Sequence, residues 1–174
     1  MVNIARPPSF CPTWSHPPET QKLPNDEIHV WRASLDLTTS RITSLYDSLS
    51  PDERVRANRL RFDKPREHFI AARGLLRAIL SRYLHVSPDQ LEFRYSPHGK
   101  PSLIPSEKHT FNFNLSHSEG FGLYAVSCAQ SIGIDLELVR PVSDMEQLVE
   151  RFFSVQERAV FRTLPTSQKL EAFF

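Results

Sequence analysis

The amino-acid sequence predicts a mixed α+β protein, because strand-like and helix-like segments are interspersed along it. Apolar residues at every second position indicate strands, and apolar residues three or four apart indicate helices. The strand-like segments are residues 27–37, 91–97, 111–118, 121–128 and 131–138. The helix-like segments are residues 50–62, a segment following Pro65, and residues 142–153, 154–164 and 167–174. With 174 residues, the chain has enough material for one sizeable core or two small ones.

The composition is that of an ordinary soluble globular protein, with 40% hydrophobic and 24% charged residues. No apolar run approaches the roughly 20 residues of a membrane span, and the N-terminus lacks the pattern of a signal peptide. Cys11 and Cys128 form no disulfide framework, which fits a reducing cytosol. We therefore expect a cytoplasmic protein with no membrane partner. The proline-rich residues 1–27 are predicted to be a mobile or loosely draped tail.

The first half of the chain has local signals for each of its predicted elements. Residues 27–37 alternate and form the first predicted strand. Ser50 and Pro51 are typical of an N-cap and a first helical position. The helix after Pro65 has a predicted buried stripe and a separate arginine face, for which a solvated surface is the usual explanation. The stripe comprises Phe69, Ala72, Leu76, Ile79 and Tyr83, and the arginine face comprises Arg66, Arg73 and Arg77.

The later elements follow from turns and caps. Residues 98–101, HGKP, predict a turn after the strand at 91–97. The strands at 111–118 and 121–128 are predicted to pair around Glu119–Gly120. Ser143 and Ser154 are the predicted caps of the two helices that follow.

Charge is unevenly distributed, although the net charge is only +1. Residues 54–82 contain eight arginines and one lysine against two acids, and residues 131–157 contain six acids against two arginines. Such a chain could bind an anion and a metal cation side by side. Two ordinary solvated faces explain the same pattern, and charge alone favours that explanation.

The strand-like residues 131–138, SIGIDLEL, contain two acids in an apolar run. Alternation places Gly133, Asp135 and Glu137 on one face and the apolar residues on the other. The two acids are about 6–7 Å apart along the strand. Carboxylate oxygens at this spacing suit magnesium, which keeps several waters and takes substrate phosphates as further ligands. Alternating acids on an exposed strand are also common without any metal.

Two further segments contain residues that could bind phosphate. In NLSHS, residues 114–118, the side chains of Ser116 and His117 can hydrogen-bond phosphate oxygens. A nucleophile–base pair is disfavoured because neighbours on a strand point to opposite faces. A histidine satisfied within the sheet is the plain alternative. Lys100 follows a glycine turn and could meet a phosphate, although Gly-Lys-Pro is also simply a good turn.

The order of these segments is more specific than any one of them. An arginine-bearing helix is followed by GKP (99–101), FNLSHS (113–118), GIDLE (133–137) and FFS-x-x-E (152–157). This order resembles the 4′-phosphopantetheinyl transferase family, in particular the larger class that serves peptide, polyketide and fatty-acid synthases. The resemblance runs from about Val30 to Phe174, and the sequence around these motifs is most similar to that of cyanobacterial members.

The resemblance implies two pseudo-symmetric α+β halves with the active site at their junction. Residues 28–130 would be the first half, and residues 131–174 the start of the second. It implies coenzyme A as donor, magnesium as the metal and an acyl or peptidyl carrier protein as acceptor. A carrier serine would attack the β-phosphate, receive phosphopantetheine and release 3′,5′-ADP. We expect a monomer with no nucleic-acid partner.

Site residues are also implied by the resemblance. Asp135 and Glu137 match metal-binding acids. His117 matches a histidine that contacts the donor's phosphates, and Ser116 lies beside it. Glu157 matches a glutamate that is a candidate for the base or for a water-mediated metal contact.

The remaining correspondences are basic residues and one proline. Lys100 and Pro101 match the family's segment near the nucleotide. Arg73 matches an arginine that would meet the 3′-phosphate. Arg54 and Arg56 align only loosely with basic residues of the same role.

The family pattern continues into W-x-x-K-E-A, where a further metal-ligand glutamate and a lysine are found. This sequence stops at Phe174, where that motif should start. We therefore expect a truncated second half, a marginally stable fold and little activity from this chain itself. Three functions stay open: an active transferase or a fragment of one, an inactive remnant that binds coenzyme A, and a magnesium-dependent phosphoesterase that uses water as nucleophile.

Overall fold

The computed structural model describes residues 13–17, 21–97, 99–104, 111–128 and 130–174. Cys11 and His98, which figure in the sequence analysis, lie outside these residues, as does most of the predicted tail. The strands are β1 (Ile28–Ser34), β2 (Phe93–Tyr95), β3 (Pro101–Leu103), β4 (Asn112–Ser118) and β5 (Phe121–Ser127). The helices are α1 (Thr39–Asp47), α2 (Pro51–Asn58), α3 (Asp63–Leu84), α4 (Met145–Phe152), α5 (Val155–Thr163) and α6 (Thr166–Phe173). The predicted α+β class is confirmed.

The strands form a three-stranded antiparallel sheet in the order β1-β5-β4 and a separate antiparallel pair of β2 and β3. β4 and β5 are joined by a two-residue turn, as the sequence predicts. Both turn residues, Glu119 and Gly120, have positive φ, which is the geometry that matches the twist of a tight hairpin. β5 lies in the middle of the sheet and is its most buried strand.

One face of the three-stranded sheet packs against α3, which forms the main core. Tyr124 on β5 is fully buried and donates a hydrogen bond to the carbonyl of Ala72 on α3 at 3.3 Å. Tyr83 lies farther along α3, and its hydroxyl accepts a hydrogen bond from Trp31 Nε1 on β1 at 2.8 Å. Of the predicted α3 stripe, Ala72, Leu76, Ile79 and Tyr83 are buried, and Phe69 is half-buried.

α1 packs closely against α3 at a glycine. A Cβ added to Gly74 would lie 2.6 Å from Leu45 Cβ, so the helices approach more closely than a larger residue allows. α2 begins as predicted, with Ser50 as N-cap and Pro51 in the first turn. Together α1, α2 and α3 enclose a second group of buried apolar side chains.

The strand predicted at 131–138 is not formed, and this part of the sequence interpretation was wrong. These residues form no strand hydrogen bonds. The side chains of Asn114 and Ser116 on β4, not the backbone of β4, hydrogen-bond to the segment. The predicted alternation nevertheless holds from 132 to 137. Ile132, Ile134 and Leu136 are half-buried, whereas the intervening Gly133, Asp135 and Glu137 are exposed.

Three smaller boundaries also differ from the prediction. Asp144 rather than Ser143 is the N-cap of α4. α3 begins at Asp63, before Pro65. Residues 21–24 do not belong to a draped tail, because Gln21 is buried and Leu23 packs against the core under the sheet.

Residues 130–174 contain α4, α5 and α6 and no strand. Val149 and Phe161 are buried, but other large apolar side chains are not covered, with Phe152 67% and Val155 72% exposed. The assignment of residues 131–174 to an incomplete second half stays a prediction. In the described part of the chain, no helix is both long enough and apolar enough to cross a membrane.

Candidate functional site

A cleft of about 320 Å³ lies between the β2–β3 hairpin, the start of β4 and the start of the segment 131–138. Two basic side chains, Arg94 and Lys100, line it. Its apolar lining comes from Pro101, Leu103, Ile104, Phe111, Phe113 and Ile132, and its hydroxyls from Ser96, Ser102 and Ser131. Lys100 and Pro101, two predicted binding residues, are therefore in one cleft with the beginning of the acidic segment.

Lys100 connects the hairpin to that segment. Its ammonium donates a hydrogen bond to the carbonyl oxygen of Ile132 at 3.2 Å. The amide of Asn114 on β4 donates to the same oxygen at 3.3 Å. A side chain from the β2–β3 turn and one from β4 thus hold the backbone at Ile132, near the start of the acidic segment.

Ser116, two residues after Asn114 on β4, makes the next contacts with the acidic segment. Its hydroxyl donates to Asp135 Oδ1 at 2.8 Å and accepts a hydrogen bond from the backbone N–H of Leu136 at 3.1 Å. The serine therefore holds one carboxylate oxygen of Asp135 and the backbone beside it. Glu137, two residues farther on, is exposed like Asp135. Of the predicted pair of acids, Asp135 is the one that contacts Ser116.

The donor set here fits magnesium only as an open site. Asp135 and Glu137 supply hard carboxylate oxygens that are exposed and close in sequence, which suits an ion that keeps several waters. Among the residues that the structure describes, no group of three or more His, Cys, Asp or Glu side chains could enclose a metal. An ion held by these two acids would therefore need water or substrate oxygens to complete its coordination.

His117 lies on the other face of β4. It is paired across the sheet with Gly122, whereas Ser116 is paired with Leu123, so the two side chains project to opposite faces. This geometry agrees with the argument against a Ser–His nucleophile pair. It also separates exposed His117 from the Ser116–Asp135 contact, so the structure does not gather all the predicted phosphate and metal residues on one face.

Arg73 is buried, at 6% exposure, in an ion network. Its Nε donates to Glu53 Oε1 at 2.8 Å and its Nη2 donates to the hydroxyl of Tyr95 at 2.7 Å. Arg77, one helical turn on, donates through Nε to Glu53 Oε2 at 2.6 Å. The solvated arginine face expected on α3 is therefore wrong for these two residues. The same contacts argue against direct binding of a phosphate by Arg73.

Glu53 is ionised at the centre of this network. Burial by itself would raise the pKa of this carboxyl, but the charges of Arg73 and Arg77 outweigh it and hold the pKa below its ordinary value. Each carboxylate oxygen accepts from a different arginine. The network keeps a net positive charge, since the two guanidinium groups share one carboxylate.

The two loosely aligned arginines have different surroundings. Arg54 donates to the carbonyls of Asp47 at 2.7 Å and Leu49 at 3.0 Å, which ties α2 to the chain that follows α1. Arg56 is exposed, and its guanidinium lies 5.0 Å from the centre of the Tyr95 ring. Of the two, Arg56 is the one whose position leaves it accessible to an anion.

Glu157 forms the start of α5. Its carboxylate accepts from the backbone N–H of Ser154 at 2.8 Å, and its own N–H donates to Ser154 Oγ at 3.2 Å. This reciprocal capping box, chiefly the hydrogen bond from the Ser154 backbone, holds the pKa of Glu157 below its ordinary value. A lowered pKa makes a carboxylate a weaker base, so the geometry supports a capping role more directly than a catalytic one.

Sequence reasoning missed four residues of this region. Asn114 lies two positions before Ser116, so alternation in the same strand could have identified it. Glu53 stands three residues after Ser50, which is the spacing of a capping box. Arg94 and Tyr95 carried no comparable local signal, and the Arg73 partner of Tyr95 lies far away in the sequence.

A second depression, of about 570 Å³, lies among α4, α5 and α6. It combines Val149 and Phe161 with charged residues, including Glu146, whose carboxylate accepts from Lys169 at 2.8 Å. It shares no lining residue with the cleft at Lys100.

The family described as 4′-phosphopantetheinyl transferase, N-terminal, matches residues 29–130. The 4′-phosphopantetheinyl transferase HetI of Nostoc sp. is 45% identical over 163 residues, covering 93% of this chain and 69% of that protein. A putative 4′-phosphopantetheinyl transferase of Synechocystis sp. is 34% identical over 126 residues, covering 72% of this chain and 51% of that protein. The chain thus spans about two thirds of the first relative and about half of the second.

Among solved structures, a holo-(acyl-carrier-protein) synthase from Bacillus anthracis in complex with CoA (3′,5′-ADP) is similar. It has a TM-score of 0.41 and 26% identity, covering 57% of this chain and 91% of that one. The holo-[acyl-carrier-protein] synthase of Helicobacter pylori, in complex with coenzyme A, has a TM-score of 0.44 and 18% identity, covering 59% of this chain and all of that one.

Proposed function

Because the chain belongs to the 4′-phosphopantetheinyl transferase family, we propose that it binds coenzyme A for transfer of 4′-phosphopantetheine to a carrier protein. The acceptor would be a serine of an acyl or peptidyl carrier protein, the product 3′,5′-ADP, and the reaction magnesium-dependent. The chain spans only part of its relatives, so we assign it the donor site and part of the metal site.

The observation that supports this proposal most is the cleft at Lys100. Its apolar side chains, among them Pro101 and Phe111, suit the flat face of a nucleotide base, and Lys100 and Arg94 suit its phosphates. The cleft borders Ile132, from which the chain runs on to Asp135 and Glu137. A nucleotide donor such as coenzyme A in the cleft would therefore lie beside the two acids.

The acids would hold magnesium against the donor's pyrophosphate. Magnesium, when bound, would neutralise the pyrophosphate and stabilise the charge that develops on the leaving phosphate. Ser116 orients Asp135 through the 2.8 Å hydrogen bond, so its carboxylate is fixed before any ion arrives. Glu137 would supply the second oxygen ligand. The exposed His117 would meet a donor phosphate from the other side of β4.

The transfer itself is a displacement at phosphorus. The serine oxygen of the carrier bonds to the β-phosphorus, the bond from that phosphorus to the bridging oxygen breaks, and 3′,5′-ADP leaves with the electron pair. The serine proton must pass to a base. Glu157 would take that role only if its carboxylate left the capping contact with Ser154.

Donor binding is tested by calorimetric titration of this chain with 3′,5′-ADP and with coenzyme A, with and without magnesium. We expect both to bind, and Lys100→Ala to weaken binding about tenfold or more, as loss of a charge-assisted contact does. Lys22→Ala is the matched control, since Lys22 is exposed and does not line the cleft. Failure of both nucleotides to bind would overturn the proposal.

Transfer is tested separately with an apo-carrier protein, coenzyme A and magnesium, by the mass increase of the carrier. Labelling of the carrier would support the transferase. Release of nucleotide or phosphate without the carrier would instead support hydrolysis by the same acids.

A further inference from the structure

Strand β2 lies along a pair of arginines from α3. Two residues before the strand, Arg77 Nη1 donates to the carbonyl of Leu91 at 2.9 Å. At its end, Arg73 Nη2 donates to the hydroxyl of Tyr95 at 2.7 Å. Between them, the Phe93 ring centre is 5.1 Å from Cζ of Arg73 and 5.0 Å from Cζ of Arg77. Alternate residues of one short segment thus contact two arginines one helical turn apart.

The arginines themselves are held in place by Glu53. This side chain is completely buried, and each of its oxygens accepts from one arginine. Charge-assisted hydrogen bonds of this kind are short and directional, so neither guanidinium can swing away without leaving a buried charge uncompensated. The surface offered to β2 is therefore fixed by α2 and α3, before β2 docks on it.

Tyr95 is the link between this surface and the donor cleft. It pairs with Pro101 in the β2–β3 register, and Ser96 follows it directly. The N–H of Ser96 donates to the carbonyl of Lys100 at 2.9 Å, and the N–H of Lys100 donates to Ser96 Oγ at 3.1 Å. The chain at Tyr95 and Ser96 thus connects the Arg73 contact with Lys100 and Pro101.

We infer that Tyr95 is a positioning residue for the donor cleft, acting through its hydroxyl bond to Arg73 and through the hairpin turn to Lys100. Tyr95 touches no reacting atom. Glu53 of α2 and Arg73 of α3 hold Tyr95 in place, and Tyr95 in turn positions the residues of the cleft. The part of this inference that concerns donor affinity rests on the proposed function, whereas the part that concerns the hairpin does not.

The first test is Tyr95→Phe, which removes the hydroxyl and keeps the ring. Amide hydrogen exchange should accelerate at Ser96 and Lys100 by roughly tenfold or more, because the hydroxyl loses its bond from Arg73 at 2.7 Å and its bond to Glu53 Oε1 at 3.4 Å. Exchange in β5 should be unchanged. A general loss of stability would instead accelerate exchange in β5 and in the hairpin together. Tyr46→Phe is the matched control: its hydroxyl accepts from Asn58 at 3.1 Å, outside the hairpin. Unchanged exchange at Lys100 in Tyr95→Phe would overturn the inference.

The second test measures affinity for 3′,5′-ADP by calorimetry at a temperature where every variant is folded. We expect Tyr95→Phe to bind several-fold more weakly and Tyr46→Phe to match the wild type. Wild-type affinity in Tyr95→Phe would overturn the positioning of the cleft while leaving the proposed function intact. If the wild-type chain binds no nucleotide, the proposed function fails, and hydrogen exchange alone decides whether Tyr95 orders the hairpin.

Discussion

Arg77 and Glu53 form an ion pair that is closed to solvent, with side chains 1% and 0% exposed and a distance of 2.6 Å from Nε to Oε2. The same arginine donates through Nη1 to the carbonyls of Pro88 and Leu91. One buried contact therefore joins α2, α3 and the segment that leads into β2. Its loss is expected to affect the fold and the donor cleft together.

Glu53→Gln should destabilise the chain by about 3–5 kcal/mol, because removal of one member of a buried ion pair leaves the other charges uncompensated. The free energy of unfolding in urea measures this loss. Glu67→Gln is the matched control, since Glu67 is on the exposed side of α3 and its replacement should change stability by less than about 0.5 kcal/mol. Equal stability of the two variants would contradict the central role of Glu53.

The lowered pKa of Glu53 predicts that the stability of the folded chain falls in acid. Because the pKa of Glu53 is lower in the folded than in the unfolded chain, the unfolded chain binds the proton more readily. The stabilisation from Glu53 is therefore present above the ordinary carboxyl range and is lost as pH falls from about 5 through the lowered pKa. Unfolding measured between pH 7 and pH 3 should show a loss in the wild type that is smaller in Glu53→Gln. A parallel loss in both proteins would assign the acid sensitivity to other groups.

Gly74→Ala should lower stability, although alanine is the better helix former by about 1 kcal/mol. The new Cβ would meet Leu45 at 2.6 Å, and overpacking of this kind costs about 1–3 kcal/mol. A double-mutant cycle with Leu45→Gly tests the cause, because that change removes the Cβ that the new methyl group would meet, and the penalty should then shrink. A penalty of equal size in both backgrounds would show that the contact is not responsible.

Ser116→Ala should weaken the magnesium-dependent part of donor binding. Ser116 hydrogen-bonds to Asp135 and to the N–H of Leu136. Loss of such an orienting partner typically lowers metal affinity or activity by roughly tenfold or more. Titration of coenzyme A with and without magnesium measures the effect. Ser118→Ala is the control, since Ser118 lies on the same face of β4, two residues farther on. An equal loss without magnesium would point to a direct contact of Ser116 with the donor.

Glu157→Ala and Glu157→Gln should separate capping from catalysis. Glutamine can also accept from the Ser154 N–H, so only the alanine variant should lower the melting temperature. Equal melting temperatures of the two variants would contradict the capping role. Loss of carrier labelling in Glu157→Gln, at an unchanged melting temperature, would favour the role as a base.

Elements with local signals were predictable from the sequence. The start of α2 follows from Ser50 and Pro51, and the β4–β5 hairpin from the turn at Glu119–Gly120. The strand predicted at 131–138 was not formed, because alternation describes which side chains are covered but not whether a backbone partner is present.

The candidate site was partly predictable for the same reason. Alternation correctly predicted that Asp135 and Glu137 are more exposed than Ile134 and Leu136. The contact from Lys100 to Ile132 joins residues far apart in the sequence, and so does the burial of Arg73 against Glu53. A sequence pattern shows that an arginine lies on a helix face, but the packing of other elements decides whether that face reaches solvent.

The pairing of β1 with β5 sets the order in which the sheet can be completed. β4 and β5 meet across a two-residue turn and can pair locally, whereas Ile28 of β1 pairs with Ser127 at the end of β5, much farther along the chain. On a ribosome that adds about 5–20 residues per second, β1 leaves the exit tunnel on the order of 5–20 s before its partner. During that interval its apolar residues are available to chaperones or to other nascent chains. Folding of the sheet therefore ends with the strand that was made first.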